Sequence, residues 1–445
     1  MRKTESNANE ENQEIKAPFK RVQKKIRWDR LDNTANLFPV IAGENMTNVY
    51  RICVTLTENI DPGKLQEALD ITLPKFDGFN LRLRQGVFWY YFEENGKRAP
   101  RVVEEKNFPC RYIRANRNNS YLFRVTYYKR RINLEVFHVL TDGMGGINFL
   151  KELTYQYLRL VHPELREKLG DGLSTETTLN REDSFLKNYQ GRKKAKRYGI
   201  KKAFHIKGER LPKGEFGVMH VYLQVPELKK YCHEHGCSIN ELLVADMAYS
   251  IYKEAASRDR KKRPVCISVP VNLRPFFESV TTKNFFVMVN AELPSAQTEY
   301  TFEEVLAVIQ KSLKGQISKE KLEEIFSYNV SNQKSIVAQA VPLVLKNQAM
   351  NVVYRFIAAA STTTVTNIGN IGVSEEYKPY VQMFHAMLSV SYGQLMKGTI
   401  CSYKDVLVYT FTSLFVDTAI QRRFCRTLSE RGLLVEMESN GVYYE

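Results

Sequence analysis

The chain has 445 residues, 43% of them apolar, and a formal net charge of +16. This length exceeds one ordinary domain and the apolar content can bury substantial cores, so two or three globular domains are expected. Seven scattered cysteines argue against a disulfide framework, and an opening without an apolar segment argues against a secretory signal, so a reduced cytoplasmic protein is expected.

The first half of the chain alternates strand-like and helix-like patterns. Residues 1–24 are polar and charged, which predicts a disordered tail. The segment VYRICVTL predicts a strand, and DPGKLQEALDITLPKF predicts a helix with Asp61 as its N-cap. Hairpins are predicted in LRLRQGVFWYYF and YLFRVTYYKRRINLEVFHV, before the helix MGGINFLKELTYQYLRLV. We therefore predict a first unit over residues 25–180.

A basic stretch, residues 181–215, has the composition of a linker between this unit and a second one over residues 216–445. The second unit contains the predicted strands VMHVYLQV, PVCISVPV, NFFVMVNAEL, TTVTNIGNIGV, VQMFHAMLSVSY and DVLVYTFTS. Predicted helices include PELKKYCHEHG and SINELLVADMAYSIYKEA, where Ser238 and Glu241 predict a capping box. Each half is expected to be a mixed sheet with flanking helices, so the fold class is α/β or mixed α+β, built twice.

An apolar helix is predicted in VPLVLKNQAMNVVYRFIAAA, residues 341–360. Its composition is typical of a core helix, and the wall of a lipophilic acceptor channel is the alternative. It contains too many polar residues to predict a transmembrane segment.

Basic residues cluster between Lys187 and Lys213, where eleven Lys or Arg accompany one acid, Glu209. Solvated loops and a rim that attracts phosphate groups are both open interpretations. Nucleic acid is disfavoured, because the sequence contains no helix-turn-helix, zinc-finger or RNP signature.

One histidine stands apart from the other six. His138 ends a strand-like run in LEVFHVLTDGMGG, and among the seven histidines it alone is followed four residues later by Asp and then by Gly. Histidine titrates near neutral pH, as a general base requires, so His138 is a candidate base. A purely structural role for this histidine is the alternative. The segment CHEHGC has metal-ligating residue types, but one short helix cannot direct four of them to one ion, so no metal site is predicted.

Three motifs in this order resemble the superfamily of CoA-dependent acyltransferases: HVLTDG, VPVNLRPFF at residues 269–277 and TNIGNIG at residues 366–372. The superfamily includes chloramphenicol acetyltransferase, peptide-synthetase condensation domains, plant BAHD enzymes and alcohol acetyltransferases. The opening RLDNTANLFP resembles the bacterial alcohol acetyltransferases in particular, and the likeness covers residues 28–445. Condensation domains usually carry a second histidine where this chain has Phe137, and the BAHD signature DFGWG is absent.

The resemblance implies two chloramphenicol-acetyltransferase-like subdomains that meet at a central channel, with His138 midway along it as the general base. It also implies a structural pair between Asp142 and Arg274, with Gly143 completing the motif. The candidates for the oxyanion site or the channel are Asn272, Thr366, Asn367 and Tyr392.

The expected activity is acyl-CoA-dependent O-acyltransfer, of an acetyl or other short acyl group, to an alcohol or hydroxylated metabolite. The expected partners are acyl-CoA as co-substrate and a small alcohol or amine acceptor, with Lys193, Lys194 and Lys196 attracting the anionic CoA. No permanently bound cofactor, metal, nucleic acid or transmembrane segment is expected. The protein is expected to be a monomer, and peripheral contact with anionic surfaces is an open interpretation. The alternatives are a carrier-protein-dependent condensation domain, an N-acyltransferase and a non-catalytic binding relative, against which the intact motif argues.

Overall fold

A computed structural model describes residues 28–174, 176–191, 201–259, 261–295, 299–334 and 340–441. The predicted disordered tail, residues 1–24, lies outside these residues, as do Lys193, Lys194 and Lys196.

The elements follow each other in chain order. The strands are β1 Trp28–Arg30, β2 Val49–Leu56, β3 Leu81–Gln85, β4 Tyr90–Glu94, β5 Val103–Glu104, β6 Phe123–Tyr128, β7 Arg131–Phe137, β8 Gly217–Gln224, β9 Val265–Asn272, β10 Phe286–Leu293, β11 Thr363–Asn370, β12 Val381–Leu388, β13 Met396–Tyr403, β14 Val406–Ser413 and β15 Glu436–Ser439. The helices are α1 Phe38–Ile41, α2 Pro62–Thr72, α3 Gly143–Val161, α4 Pro163–Leu169, α5 Ser184–Lys187, α6 Val225–Glu234, α7 Ile239–Glu254, α8 Arg274–Phe277, α9 Phe302–Lys314, α10 Lys319–Lys334, α11 Leu343–Ala358 and α12 Ala419–Ser429.

The described strands form three sheets. One has the order β12-β2-β7-β6-β5, the second β10-β9-β11-β13-β14-β8-β15, and the third β1-β4-β3. Strand β11 runs parallel to β9 and β13, and β5 runs parallel to β6, whereas the other neighbours are antiparallel. The predicted mixed α+β class is confirmed.

Two helix starts predicted from the sequence are formed by the expected side chains. Asp61 accepts a hydrogen bond from the backbone N–H of Lys64 at 2.9 Å, at the start of α2. At the start of α7, Ser238 Oγ accepts from Glu241 N at 3.2 Å, and Glu241 Oε2 accepts from Ser238 N at 2.8 Å. These bonds satisfy N–H groups that have no partner within the helix.

Strand β12 connects the two halves. It comes late in the chain, yet it pairs antiparallel with β2, with His385 opposite Cys53. The second half therefore contributes one strand to the sheet of the first half, and β12 packs against β13 and β14 of the seven-stranded sheet. The boundaries 25–180 and 216–445 stay a prediction.

Helix α11 differs from the expectation of a core helix. Six of its apolar side chains are more than half exposed: Val344, Leu345, Val352, Val353, Phe356 and Ile357. Among the helices that the structure describes, none has the length and hydropathy to cross a bilayer.

Candidate active site

The backbone at His138 is fixed by paired strand ends. His138 follows β7 directly, and Val49 at the start of β2 lies opposite Phe137 at the end of β7. The His138 N–H donates to the Asn48 carbonyl oxygen at 2.9 Å. The histidine therefore leaves the sheet at a defined point, just before α3.

Asn284 fixes which ring nitrogen of His138 is basic. Its Oδ1 lies 3.1 Å from His138 Nδ1, while its Nδ2 donates to Asp32 Oδ2 at 3.0 Å and to the His138 carbonyl oxygen at 3.3 Å. Because Nδ2 is held by two acceptors, Oδ1 must face the ring. A carbonyl oxygen only accepts, so Nδ1 carries the hydrogen and Nε2 is the free base.

Aromatic rings surround the imidazole. Phe38 of α1 stacks on it, with ring centroids 4.6 Å apart, while Tyr50 meets it edge-on at 5.1 Å and Phe286 lies at 5.7 Å. Burial lowers the pKa of His138 below its ordinary value, against the opposing effects of the Asp142 charge and the Asn284 hydrogen bond. The ring is therefore neutral at pH 7 and able to accept a proton.

Asp142 is held by contacts with three parts of the chain. As the N-cap of α3, its Oδ1 accepts from Met144 N at 3.2 Å and from Gly145 N at 3.4 Å. Its Oδ2 accepts from Phe285 N at 3.1 Å and lies 2.8 Å from Arg274 Nη1. The carboxylate thus joins the turn after β7 to segments more than 130 residues away in sequence, as a structural role requires.

Arg274 holds the loop that carries Asn284. Its Nε donates to the Thr281 carbonyl oxygen and its Nη2 to the Lys283 carbonyl oxygen, both at 2.8 Å. Asn272 Oδ1 accepts from Arg274 Nη1 at 3.1 Å. Arg274 therefore acts on the orientation of His138 indirectly, through the loop before Asn284.

The glycines of the motif allow close approach of other groups. A Cβ on Gly145 would lie 2.8 Å from the Thr282 carbonyl oxygen, and one on Gly146 would lie 2.7 Å from Tyr50 Oη. A Cβ on Gly143 would lie 3.9 Å from Cγ1 of Ile368, so Gly143 adjoins strand β11 of the seven-stranded sheet. The motif is thus set where the two large sheets meet.

The other oxyanion and channel candidates occupy different positions. Asn272 accepts from the backbone N–H and the guanidinium of Arg274, each at 3.1 Å, and so supports that arginine. Thr366 is partly buried on β11. Asn367 is exposed there, and its Nδ2 donates to Asn240 Oδ1 at 3.4 Å.

Tyr392 lies on an exposed turn, where the Arg355 guanidinium carbon is 5.6 Å from the centre of its ring. In the described part of the chain, the hydrogen bonds and ring contacts of Asn272, Asn367 and Tyr392 do not reach His138. The structure therefore joins Asp142 to Arg274 close to the turn that follows His138, with Asn272 in contact with Arg274, whereas Asn367 and Tyr392 contact other parts of the chain.

Sequence reasoning missed several residues at the site. Asp32 and Phe38 lie in RLDNTANLFP, which carried a resemblance but no assigned role, and Asn284 lies in a segment without any motif. Asp32 accepts from Ala35 N at 2.7 Å, and burial raises its pKa to about 6. Only the folded chain brings Asp32 and Asn284 to His138.

Lys397 is a further residue that sequence reasoning missed. Side chains alternate along β13, and Lys397 shares a face with Cys401, which packs in the core of the first half. Burial lowers the pKa of Lys397 to about 8, and its charge also lowers the pKa of His138. The Lys397 amine therefore lies on the side of β13 that faces the first half of the chain, within electrostatic reach of His138.

Within the described residues, no group of three or more His, Cys, Asp and Glu side chains could hold a metal ion. This statement includes His233 and His235 of the segment CHEHGC, both exposed on or just after α6. The geometry at His138 is that of a buried imidazole held in one tautomer, with Nε2 as its basic nitrogen.

No family model and no curated protein sequence matches the chain, but solved structures match its fold. TRI101 of F. sporotrichioides, complexed with coenzyme A and T-2, has a TM-score of 0.61 and 10% identity, over 92% of this chain and 99% of that one. The first condensation domain of the calcium-dependent antibiotic synthetase has a TM-score of 0.60 and 13% identity, over 91% and 96%. TRI3 trichothecene 15-O-acetyltransferase from Fusarium sporotrichioides has a TM-score of 0.58 and 11% identity, over 91% and 94%.

The chain has the fold shared by CoA-dependent acyltransferases and condensation domains. This likeness confirms the predicted fold, with its pair of chloramphenicol-acetyltransferase-like lobes. Within it, His138 lies at the junction of the five-stranded and seven-stranded sheets.

Proposed function

We propose that this chain is an acyl-CoA-dependent O-acyltransferase that moves an acetyl or other short acyl group to an alcohol or hydroxylated metabolite. The observation that carries the proposal is the arrangement of His138, whose Nδ1 is held by Asn284 while Nε2 has no hydrogen-bond partner among the described residues. A neutral imidazole with one fixed tautomer is what a general base for an alcohol needs.

In the proposed reaction, His138 Nε2 takes the proton of the acceptor hydroxyl as the hydroxyl oxygen attacks the carbonyl carbon of the thioester. The tetrahedral intermediate then collapses and its C–S bond breaks. The imidazolium returns the proton to the departing thiolate, so the products are an ester and free CoA. The base is regenerated without any other reactant.

The intermediate carries a negative oxygen that needs a nearby donor or cation. Lys397 is a candidate because its positive charge acts on the His138 ring. Thr366, on the strand that passes Gly143, is a second candidate from the resemblance, with Asn367 and Tyr392 as weaker ones.

Support for an acyltransferase comes from the fold shared with TRI101, TRI3 and the condensation domain. The alcohol as acceptor rests on the resemblance of RLDNTANLFP to bacterial alcohol acetyltransferases. A condensation domain with a carrier-protein donor is the second candidate, favoured by the condensation domain of the same fold. Phe137, at the position of that branch's second histidine, weighs against it.

The test is incubation of the purified chain with acetyl-CoA and a panel of alcohols and amines, with thiol release and product mass as readouts. We expect His138→Ala to lower kcat by roughly 10² to 10⁴. His233→Ala, which changes an exposed histidine, is the matched control and should behave as wild type. Melting temperatures near wild type in both variants would separate lost chemistry from lost folding.

Unchanged turnover in the His138 variant would remove it as the base. Transfer only from an acyl group on a carrier protein would favour the condensation alternative, and products only from amines would favour N-acyltransfer.

Acyl-CoA binding by the basic run is a separate proposal about the donor. Replacing Lys193, Lys194 and Lys196 with Glu should raise the KM for acyl-CoA. The increase should be larger at low salt, because at 0.1 M salt the interactions of exposed charges are screened over about 10 Å. Glutamate at Lys229 and Lys230, exposed on α6, is the control. A KM that does not move would leave the run as a solvated linker, and salt-sensitive DNA binding would revive the nucleic-acid interpretation.

A further inference from the structure

Helix α11 presents its apolar side to solvent. The side chains of Val344, Leu345, Val352, Val353, Phe356 and Ile357 are between 54% and 62% exposed. A helix on the surface of a soluble protein ordinarily buries this side and exposes its polar one.

Polar side chains of α11 face the protein instead. Asn347 Nδ2 donates to Tyr90 Oη at 2.8 Å, and Asn351 Nδ2 donates to the Val40 carbonyl oxygen at 3.2 Å. Tyr354 Oη lies 3.5 Å from Sδ of Met46, in the connection between β1 and β2. These contacts fix the rotation of the helix, so the outward apolar side is specified by its inner hydrogen bonds.

A second apolar element adjoins the helix. At the tip of the β3–β4 hairpin, Val87 is 71% exposed and Trp89 50% exposed, with Phe88 between them. Leu343 N donates to the Val87 carbonyl oxygen, and Lys346 Nζ to that of Phe88, both at 2.8 Å. We call this continuous surface of α11 and residues 87–89 the apolar face.

Lysine and arginine side chains lie on and beside the apolar face. Residues 325–374 contain no Asp or Glu, while α11 carries Lys346 and Arg355. The Ala203 N–H donates to the Ala359 carbonyl oxygen at 2.9 Å, which places the exposed Lys201 and Lys202 close to the carboxyl end of α11.

We propose that the apolar face docks on the surface of an anionic lipid bilayer. Valine, leucine, phenylalanine and tryptophan side chains partition into the boundary between headgroups and acyl chains, while lysine and arginine meet the lipid phosphates. A contiguous apolar patch of this kind marks an interaction site rather than ordinary surface. This inference does not depend on the proposed acyltransfer.

The charges favour a bilayer over two other occupants. A second copy of the chain would place the same basic rim against itself. The residues before Trp28 are mostly polar and charged, so they offer little apolar surface to cover the face.

The experiment is co-sedimentation of the full chain with sucrose-loaded vesicles. One set contains phosphatidylcholine alone, and the other contains phosphatidylcholine with phosphatidylglycerol. Binding should be at least tenfold tighter to the anionic set, and Lys201→Glu should weaken that binding about fivefold, less at high salt.

The apolar contribution is tested by two double variants of unchanged charge. Leu345→Ser with Phe356→Ser should lower binding to anionic vesicles at least tenfold. The control, Leu434→Ser with Met437→Ser, removes two similarly exposed apolar side chains elsewhere and should bind as wild type. Melting temperatures confirm that both variants fold.

Failure of the wild type to sediment with anionic vesicles would overturn the proposal, as would an equal loss in both double variants. A dimer in light scattering that dissociates in the Leu345 and Phe356 variant would assign the face to self-association instead. Vesicle binding is measured without turnover, so its outcome is independent of any acyltransferase assay.

Discussion

The ion pair between Asp142 and Arg274 gives a sharp test of how the site is held. The two side chains are 9% and 11% exposed, and Arg274 Nη1 lies 2.8 Å from Asp142 Oδ2. Removing one partner of such a pair strands a poorly solvated charge, which costs about 3 to 5 kcal/mol. That is a large share of the stability of a typical domain, about 5 to 15 kcal/mol.

The two single variants should not be equal. Arg274→Ala leaves the Asp142 carboxylate with its backbone donors at Met144, Gly145 and Phe285. Asp142→Ala leaves those N–H groups unpaired and removes the N-cap of α3, a further loss of about 1 kcal/mol. We therefore expect Asp142→Ala to be the less stable variant. Asp142→Asn, which can still cap the helix, should recover that difference but not the charge interaction.

The double variant should be about 1 to 3 kcal/mol more stable than the sum of the single changes predicts. Urea unfolding would be followed by far-UV circular dichroism and by the fluorescence of Trp28 and Trp89, the only two tryptophans. The two signals must give coincident transitions for the free energies to be compared.

An exposed pair provides the control cycle. Lys64 and Glu67 on α2 lie 3.0 Å apart with side chains 44% and 48% exposed, so their coupling should stay below about 0.5 kcal/mol. The reasoning would be refuted if the free-energy changes at Asp142 and Arg274 were as additive as those of the control pair. Asp142 would then contribute to stability through its backbone donors alone.

Two further predictions concern buried polar groups. Asn284→Ala should lower kcat by about 10²-fold, because the His138 ring is no longer held in one orientation. It should also move the acid limb of the pH profile of kcat to lower pH, since the lost hydrogen bond favours the protonated ring. An unchanged acid limb would leave Asn284 a packing role only. Burial lowers the pKa of His385 from 6.5 to about 4, so the unfolded chain binds the proton first and the unfolding free energy should fall by about 3 kcal/mol as pH drops through this window. In His385→Asn the fall in unfolding free energy over this pH range, measured by urea unfolding, should be smaller by that amount, and an identical pH dependence in both proteins would contradict the assignment.

The sequence by itself determined the local features of this protein. Strand and helix patterns, the caps at Asp61 and Ser238, and the motif that begins at His138 depend on residues close together in the chain. Hydrogen bonds over three or four residues and the periodicity of side chains express themselves without the rest of the fold. The resemblance of three short motifs then led to the correct fold and pointed to Arg274, 132 residues from Asp142.

Only the tertiary structure decided what surrounds His138 and which side of α11 faces outward. Asn284 is 146 residues from His138, and the strand β12 crosses to the sheet of the first half, so neither contact leaves a local pattern. Amphipathicity shows that α11 has two different sides, but its orientation depends on hydrogen bonds from Asn347 and Asn351 to distant partners. Contacts of this kind depend on which strands lie next to each other in each sheet, and sequence periodicity does not specify that order.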